Sequence, residues 1–138
     1  MADEKRVAVV TGGGQGIGEA IAHQLSKDGY AVVVADLNND TATKVAESIK
    51  NEGGQAVAVQ GDVSKKSDAQ KFVQTAVDNF GRLDTYVNNA GIIIIKPSMD
   101  TTEEELERIT KINLWGTMFA IQAAATQFEK QDDGDKIR

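Results

Sequence analysis

The residues best suited to do chemistry lie near the start of the chain. Glycines at positions 12, 13, 14, 16 and 18 follow directly on the apolar run Val7-Ala8-Val9-Val10 and lead into a segment of helical period. Glycine lets the backbone turn left-handed and lets an anion approach with no Cβ in the way, and the first N–H groups of the next helix are unpaired and partly positive. Strand, glycine turn and helix together predict a phosphate cradle at Gly12, Gln15, Gly16, Ile17 and Gly18. The spacing is Thr11-Gly12-x-x-x-Gly16-x-Gly18, so no triplet meets the G-x-G-x-x-G fingerprint in register.

A second chemical feature follows at the expected distance. Asp36 closes the run Val32-Val33-Val34-Ala35 and lies 18 positions beyond Gly18. At the end of a second strand a carboxylate accepts hydrogen bonds from the adenosine ribose hydroxyls and repels a 2′-phosphate. On its own it reads more commonly as an ordinary loop aspartate at the end of a strand. No Lys or Arg lies between Asp36 and Thr43 to pair a 2′-phosphate, so NAD rather than NADP is the expected cofactor.

Other candidates are weaker. His23 is the single histidine and the chain has no cysteine, so no metal site is expected. The acidic run Glu103-Glu104-Glu105 suits a helix N-terminus and its dipole better than a cation. The segment from Ile92 to Ile95 reads as a wall of a substrate pocket or as an ordinary buried connection.

The elements that would carry these residues are legible from period. Nearly continuous apolar runs predict parallel strands at Val7–Thr11, Ala31–Asp36, Gln55–Gln60 and 85–88. Apolar residues three and four apart predict helices at 17–28, 41–51 and 68–80, with Gly29, Gly53 and Gly81 where C-caps fall. Either Thr101-x-x-Glu104 or Thr102-x-x-Glu105 forms a capping box that opens a helical stretch reaching about Lys130. Its second half is apolar on two sides. Ile109, Ile112, Gly116, Phe119 and Ala123 make one stripe, and Leu114, Met118, Ile121, Ala125 and Phe128 make another, so two packing partners are expected. The pattern is α/β: a Rossmann-type, doubly wound parallel sheet of order 3-2-1-4 in one domain covering 1–138.

Bulk properties narrow the partners. With 138 residues the chain suits one domain, and its formal charge of −6 argues against nucleic acid, which needs clustered Lys and Arg. The lack of cysteine excludes disulfides, cysteine-ligated zinc and a thiol nucleophile. The N-terminal residues offer no signal-peptide core and the chain no membrane span, so a cytoplasmic location without membrane contact is expected.

Thr11-Gly12-x-x-x-Gly16-x-Gly18, Asp62-Val63, Asn88-Asn89-Ala90-Gly91 and Asn113, in that order, resemble the short-chain dehydrogenase/reductase family. The resemblance covers the whole chain. Ala35-Asp36-Leu37-Asn38, Gly54-Gln55-Ala56-Val57-Ala58-Val59 and Ile121-Gln122-Ala123-Ala124 are most similar to its acetoin (diacetyl) reductase and 2,3-butanediol dehydrogenase branch. It implies NAD-linked interconversion of a secondary alcohol and a ketone, with acetoin or diacetyl as the small-molecule substrate and a homo-oligomer, a tetramer, for a full-length relative. It further implies that Asp62 accepts from the adenine amino group with Val63 beside the ring. Asn89 and Gly91 line the adenine ribose side, Asn88 ties the central strands, and Asn113 distorts its helix and helps position a catalytic lysine.

One departure from the family is plain. The resemblance calls for a serine and a Tyr-x-x-x-Lys pair, in which a neighbouring ammonium makes the phenol acidic enough to transfer a proton. The only tyrosines are Tyr30, four before Val34, and Tyr86, four before Ala90. The expectation is therefore a chain truncated at the start of strand five, near Lys136-Ile137-Arg138, and inactive alone. The alternative is a non-catalytic NAD-binding or oligomer-interfering module that functions at this length.

Overall fold

The computed structural model describes residues 5–131. The expected beginning of strand five lies outside the described residues. Strands β1 (Val7–Thr11), β2 (Ala31–Asp36), β3 (Gln55–Gln60) and β4 (Thr85–Val87) alternate with helices α1 (Gly16–Lys27), α2 (Asn39–Asn51) and α3 (Lys66–Phe80). A 3₁₀ turn (Ser98–Asp100) leads into α4 (Glu103–Thr110), a π turn (Lys111–Trp115) and α5 (Gly116–Gln131). The strands form one parallel sheet in the order β3-β2-β1-β4, with Val9 level with both Val33 and Tyr86. This is the expected Rossmann-type α/β architecture.

Alternation of side chains along each strand explains why both faces carry helices. Val7, Val9 and Val33 point to one side and pack with Phe72 and Val73 of α3, Leu83, and Ala124 and Phe128 of α5. Val10, Val32 and Val34 point to the other and pack with Ala22 of α1 and Ala42, Val45 and Ile49 of α2. A strand buried on both faces must be apolar at every position, which is why β1 and β2 read as unbroken aliphatic runs.

Helix ends follow the turn chemistry. Gly29, Gly53 and Gly81 take left-handed φ of 94°, 91° and 83° and close α1, α2 and α3. Of the two possible capping boxes, the one formed is Thr102 with Glu105: the Thr102 hydroxyl accepts from the Glu105 N–H at 3.1 Å, and the Glu105 carboxylate from the Thr102 N–H at 3.1 Å. No helix among the described residues is long and apolar enough to cross a membrane.

Two expectations need correction. β4 ends at Val87, before Asn88. The helical stretch after Thr102 runs to Gln131 as expected, with a π turn at Lys111–Trp115, around Asn113, between α4 and α5. Phe128 does not belong to the open stripe. Leu114, Met118 and Ile121 are 60%, 50% and 51% exposed, whereas Phe128 packs in the core with Ala120 and Ala124. The Gln131 side chain accepts from the Leu83 N–H at 2.7 Å and donates to the Leu83 carbonyl at 2.8 Å, which holds the last turn of α5 against the sheet and Phe128 with it.

The same end of β4 is held to β1 by a part-buried ion pair. Asp84 accepts from the Val7 N–H at 2.8 Å and from Arg82 at 2.7 and 2.9 Å, so the start of β1 is fixed to the start of β4.

Candidate functional site

The C-terminal ends of the strands open onto a cleft of about 910 Å³, near the upper end of the roughly 300–1,000 Å³ usual for small-molecule sites. Each sequence-predicted binding residue except Gly18 lines it: Gly12, Gln15, Gly16, Ile17, Asp36, Asp62, Val63, Asn89 and Gly91. The order β2-β1-β4 makes this the point where successive crossovers part to opposite sides, the usual place for a ligand on an open α/β sheet.

The glycine turn is shaped by contacts on its inner side and left open on its outer side. Gly18 is buried, and a Cβ there would run into the Gly12 carbonyl and, at 2.5 Å, the Asn89 amide. Gly18 therefore serves close packing of α1 on the strand ends. Gly16, at φ 56°, has nothing within 4 Å of where a Cβ would stand, so the approach to its backbone is clear. Gln15 caps α1 in an extended conformation and makes no side-chain capping bond, whereas Asn38 at the head of α2 accepts from the N–H groups of Asp40 and Thr41. The first N–H groups of α1 thus face the cleft without a side-chain acceptor, which suits a pyrophosphate.

Thr11 and Asn89 join the two strand ends beneath this turn. The Asn89 amide donates to the carbonyls of Thr11 at 3.0 Å and Gly12 at 3.2 Å. The buried Thr11 hydroxyl donates to the Val87 carbonyl at 3.3 Å and accepts from the N–H groups of Asn89 and Ala90 at 3.2 and 3.1 Å. The tie expected of Asn88 is made by Asn89, and Asn88 is exposed. The reason is the early end of β4, which turns Asn89 back towards β1.

Both acidic residues are oriented by local bonds. Asp36 accepts from the Gly14 N–H at 2.9 Å through one oxygen and from the Asn38 N–H at 3.0 Å through the other. Each oxygen keeps lone-pair capacity for a ligand. Asp62 accepts from the backbone N–H and hydroxyl of Ser64 at 2.9 and 2.7 Å, both through Oδ1, which leaves Oδ2 for another donor. Ile17 and Leu37, 75% and 67% exposed, add apolar walls at the mouth.

Asn113 stands in the π turn and makes a paired contact with the loop after β4: its Oδ1 accepts from the Ile92 N–H at 2.9 Å and its Nδ2 donates to the Ile92 carbonyl at 2.8 Å. Gly91 passes beside it, and a Cβ there would come within 3.3 Å of Asn113 Oδ1. Gly116, at the head of α5, leaves no room for a Cβ against Val63, whose carbonyl would be 2.9 Å away. These two contacts hold the helical segment against the cleft. Sequence reasoning left Thr11, Leu37, Asn38 and Gly116 without roles. Thr11 carried a usable signal, since a hydroxyl at the end of a buried strand must find partners.

Neither tyrosine can transfer a proton to a ligand in the cleft. Tyr86 packs against the sheet core in β4 and burial pushes its phenol above the ordinary value, while Tyr30 packs beside α1 and α2 at the other end of the sheet.

Residues 6–137 match the family model described as short chain dehydrogenase. The chain is 44% identical over 132 residues to a diacetyl reductase [(S)-acetoin forming] of Staphylococcus epidermidis, covering 96% of this chain and 51% of that protein. It is 39% identical over 134 residues to an L-2,3-butanediol dehydrogenase of Corynebacterium glutamicum, covering 96% and 52%. Among solved structures it resembles a mutant of a Serratia marcescens short-chain dehydrogenase/reductase, with a TM-score of 0.84 and 34% identity over 88% of this chain and 50% of that one. The chain spans about half the length of the relatives it matches. With its parallel sheet, glycine turn and strand-end cleft, the chain belongs to the short-chain dehydrogenase family of oxidoreductases.

Proposed function

We propose that the chain forms the NAD-binding part, as one domain over 1–138, of a cytoplasmic oxidoreductase that interconverts a secondary alcohol and a ketone, with acetoin and diacetyl as the substrate pair. The observation that carries the choice of NAD is the Asp36 carboxylate. It lines the cleft, is oriented by the N–H groups of Gly14 and Asn38, and has capacity on both oxygens for a ribose diol. A 2′-phosphate at the same place would meet a fixed negative charge. The similarity to diacetyl reductase and L-2,3-butanediol dehydrogenase supports the substrate class. A homo-oligomer, a tetramer, is the assembly proposed for the full-length protein.

The lining of the cleft supports the following division of labour. Gly12, Gln15, Gly16 and Ile17 hold the pyrophosphate through backbone and helix N-terminus, Gly18 lets α1 pack close beneath them, and Asp36 takes the ribose. Asp62 and Val63 receive the adenine, Asn89 and Gly91 form the wall next to them, and Asn113 supports that wall through Ile92. NAD, when bound, supplies the hydride acceptor of the reaction. Among the described residues none lining the cleft stands ready to take the proton, so these residues bind and orient.

Titration of the purified chain with NAD and NADP tests this reading. Tighter binding of NAD, with the gap narrowed in Asp36→Ser, is the expected result; equal affinity for both in the unsubstituted chain would remove the reading. NAD binding together with a stable monomer that does no chemistry in any partnered form would favour the non-catalytic module instead.

A further inference from the structure

Gly14 lies within the glycine turn but does not line the cleft, and its φ is not in the left-handed region. Conformational freedom is therefore not the reason for a glycine here. The constraint is space. A Cβ at position 14 would stand against the Thr41 hydroxyl, 2.9 Å from Asp36 Oδ2 and 3.1 Å from the Ala42 nitrogen. The first two are the ends of side chains that can swing aside, whereas the last is backbone and has little to give. The substitution would fall mainly on Thr41 and on Asp36, the carboxylate that faces the cleft.

Two further bonds show why this position matters to Asp36. The Gly14 N–H donates to Asp36 Oδ2 at 2.9 Å across 22 residues of sequence, and the Asn38 N–H donates to Oδ1 at 3.0 Å. The Thr41 hydroxyl is occupied in turn by the Asn38 carbonyl, to which it donates at 3.1 Å. Gly14, Asp36, Asn38 and Thr41 thus form one closed arrangement in which the carboxylate rests directly on the backbone of the phosphate turn. A side chain at 14 would lift the carboxylate off its N–H and turn it away from the orientation in which both oxygens can accept from a vicinal diol.

We propose that Gly14 is a positioning residue for cofactor choice: the absence of a side chain there lets Asp36 dock on the Gly14 N–H, and this docking is required for preference for an unphosphorylated ribose. The inference rests on the proposed NAD reading. It adds that the charge of Asp36 is insufficient unless the turn beneath it is bare.

The test is a double-mutant cycle on the full chain with Gly14→Ala, Asp36→Ser and the double variant, each titrated with NAD and NADP. Gly14→Ala should weaken NAD binding roughly tenfold and leave NADP within about twofold, so that the ratio of the two collapses. In the Asp36→Ser background the same change should alter NAD binding by less than about twofold, because the carboxylate through which it acts is gone. A merely structural role for Gly14 would weaken both nucleotides alike and would persist in that background. Backbone amide NMR gives a readout that needs no substitution at 14: the Gly14 N–H should be protected from exchange in the unsubstituted chain and lose protection in Asp36→Ser. Unchanged protection, or a Gly14→Ala variant that keeps the full preference for NAD, overturns the inference while leaving the NAD reading intact. Equal affinity of the unsubstituted chain for both nucleotides, or no binding of either, overturns both.

Discussion

Asn113 and the peptide of Ile92 are joined by two hydrogen bonds, one given and one received, at 2.8 and 2.9 Å. The amide of one side chain thereby completes a backbone-like pairing between a π turn and the loop that follows β4. A π turn leaves one residue more than an α turn, and the surplus is what lets Asn113 reach the loop.

Replacing Asn113 by Ala should cost about 1 kcal/mol, since two exposed hydrogen bonds are lost at the low end of roughly 0.5–1.5 kcal/mol each. The damage should be local: faster amide exchange at Ile92 and through 111–115, with β1 to β3 unaffected. Exchange measured residue by residue checks this, and a uniform rise across the sheet would contradict it.

Asp84 supplies a larger effect. Its carboxylate is buried and satisfies both the Val7 N–H and Arg82. Asp84→Ala leaves a buried N–H and a half-buried guanidinium without this partner, a loss of about 3–5 kcal/mol for a broken buried pair. Glu107→Gln, which breaks an exposed i, i+4 pair with Lys111, should leave stability almost unchanged. Urea denaturation of the two variants side by side gives the comparison.

Acid should loosen α4 before the sheet. The Lys96 ammonium, then the Thr102 N–H, hold the Glu105 carboxyl below its ordinary value of 4.5. A carboxyl whose folded value is depressed stabilises the fold above its unfolded value and loses that contribution as pH falls through the folded one. The capping box and the Lys96 bridge should therefore be intact at pH 6, weaken as pH falls below the ordinary carboxyl value and fail as it passes the lower folded one. Glu105→Gln should make α4 less stable at pH 6 and abolish this acid step; amide shifts of 102–110 followed from pH 6 to 3 report it.

Much of this arrangement was legible in the sequence because the strongest signals are local. β1, β2 and β3 have the bounds the sequence predicts: in β1 and β2 burial on both faces leaves no polar interruption to blur the ends, and in β3 the exposed Gln55 and Gln60 bracket the apolar run. The π turn is not visible to a period of 3.6, and only the likeness of Asn113 to a family position marked that stretch as irregular. Phe128 lies at the edge of the second stripe on a helical wheel, in line with the buried Ala120 and Ala124, and the contact of Gln131 with Leu83 that holds this edge against the sheet is tertiary. The same holds for Gly14. Its partner is 22 residues away, and nothing in a run of glycines says which of them turns, which admits a ligand and which makes room for a carboxylate.

Among the described residues no tyrosine lines the cleft, so the chain should show no diacetyl-dependent oxidation of NADH above background. Burial raises the Tyr86 phenol above its ordinary value and so makes it a weaker acid. Absorbance at the nicotinamide band, with Tyr86→Phe as a control, tests this; turnover that disappears in Tyr86→Phe would show that the buried phenol takes part after all.

The claim on which the rest depends is that the strand-end cleft is an NAD site, and the most direct measurement is chemical-shift mapping of the ¹⁵N-labelled chain titrated with NAD. Perturbations should concentrate at Gly12, Gln15, Gly16, Ile17 and Gly18, and at Asp36, Asp62, Val63, Asn89 and Gly91. The groove between α3 and α5, around Gln70 and Gln122, should stay silent. Shifts confined to that groove, or no shifts at saturating NAD from a folded chain, would contradict the account.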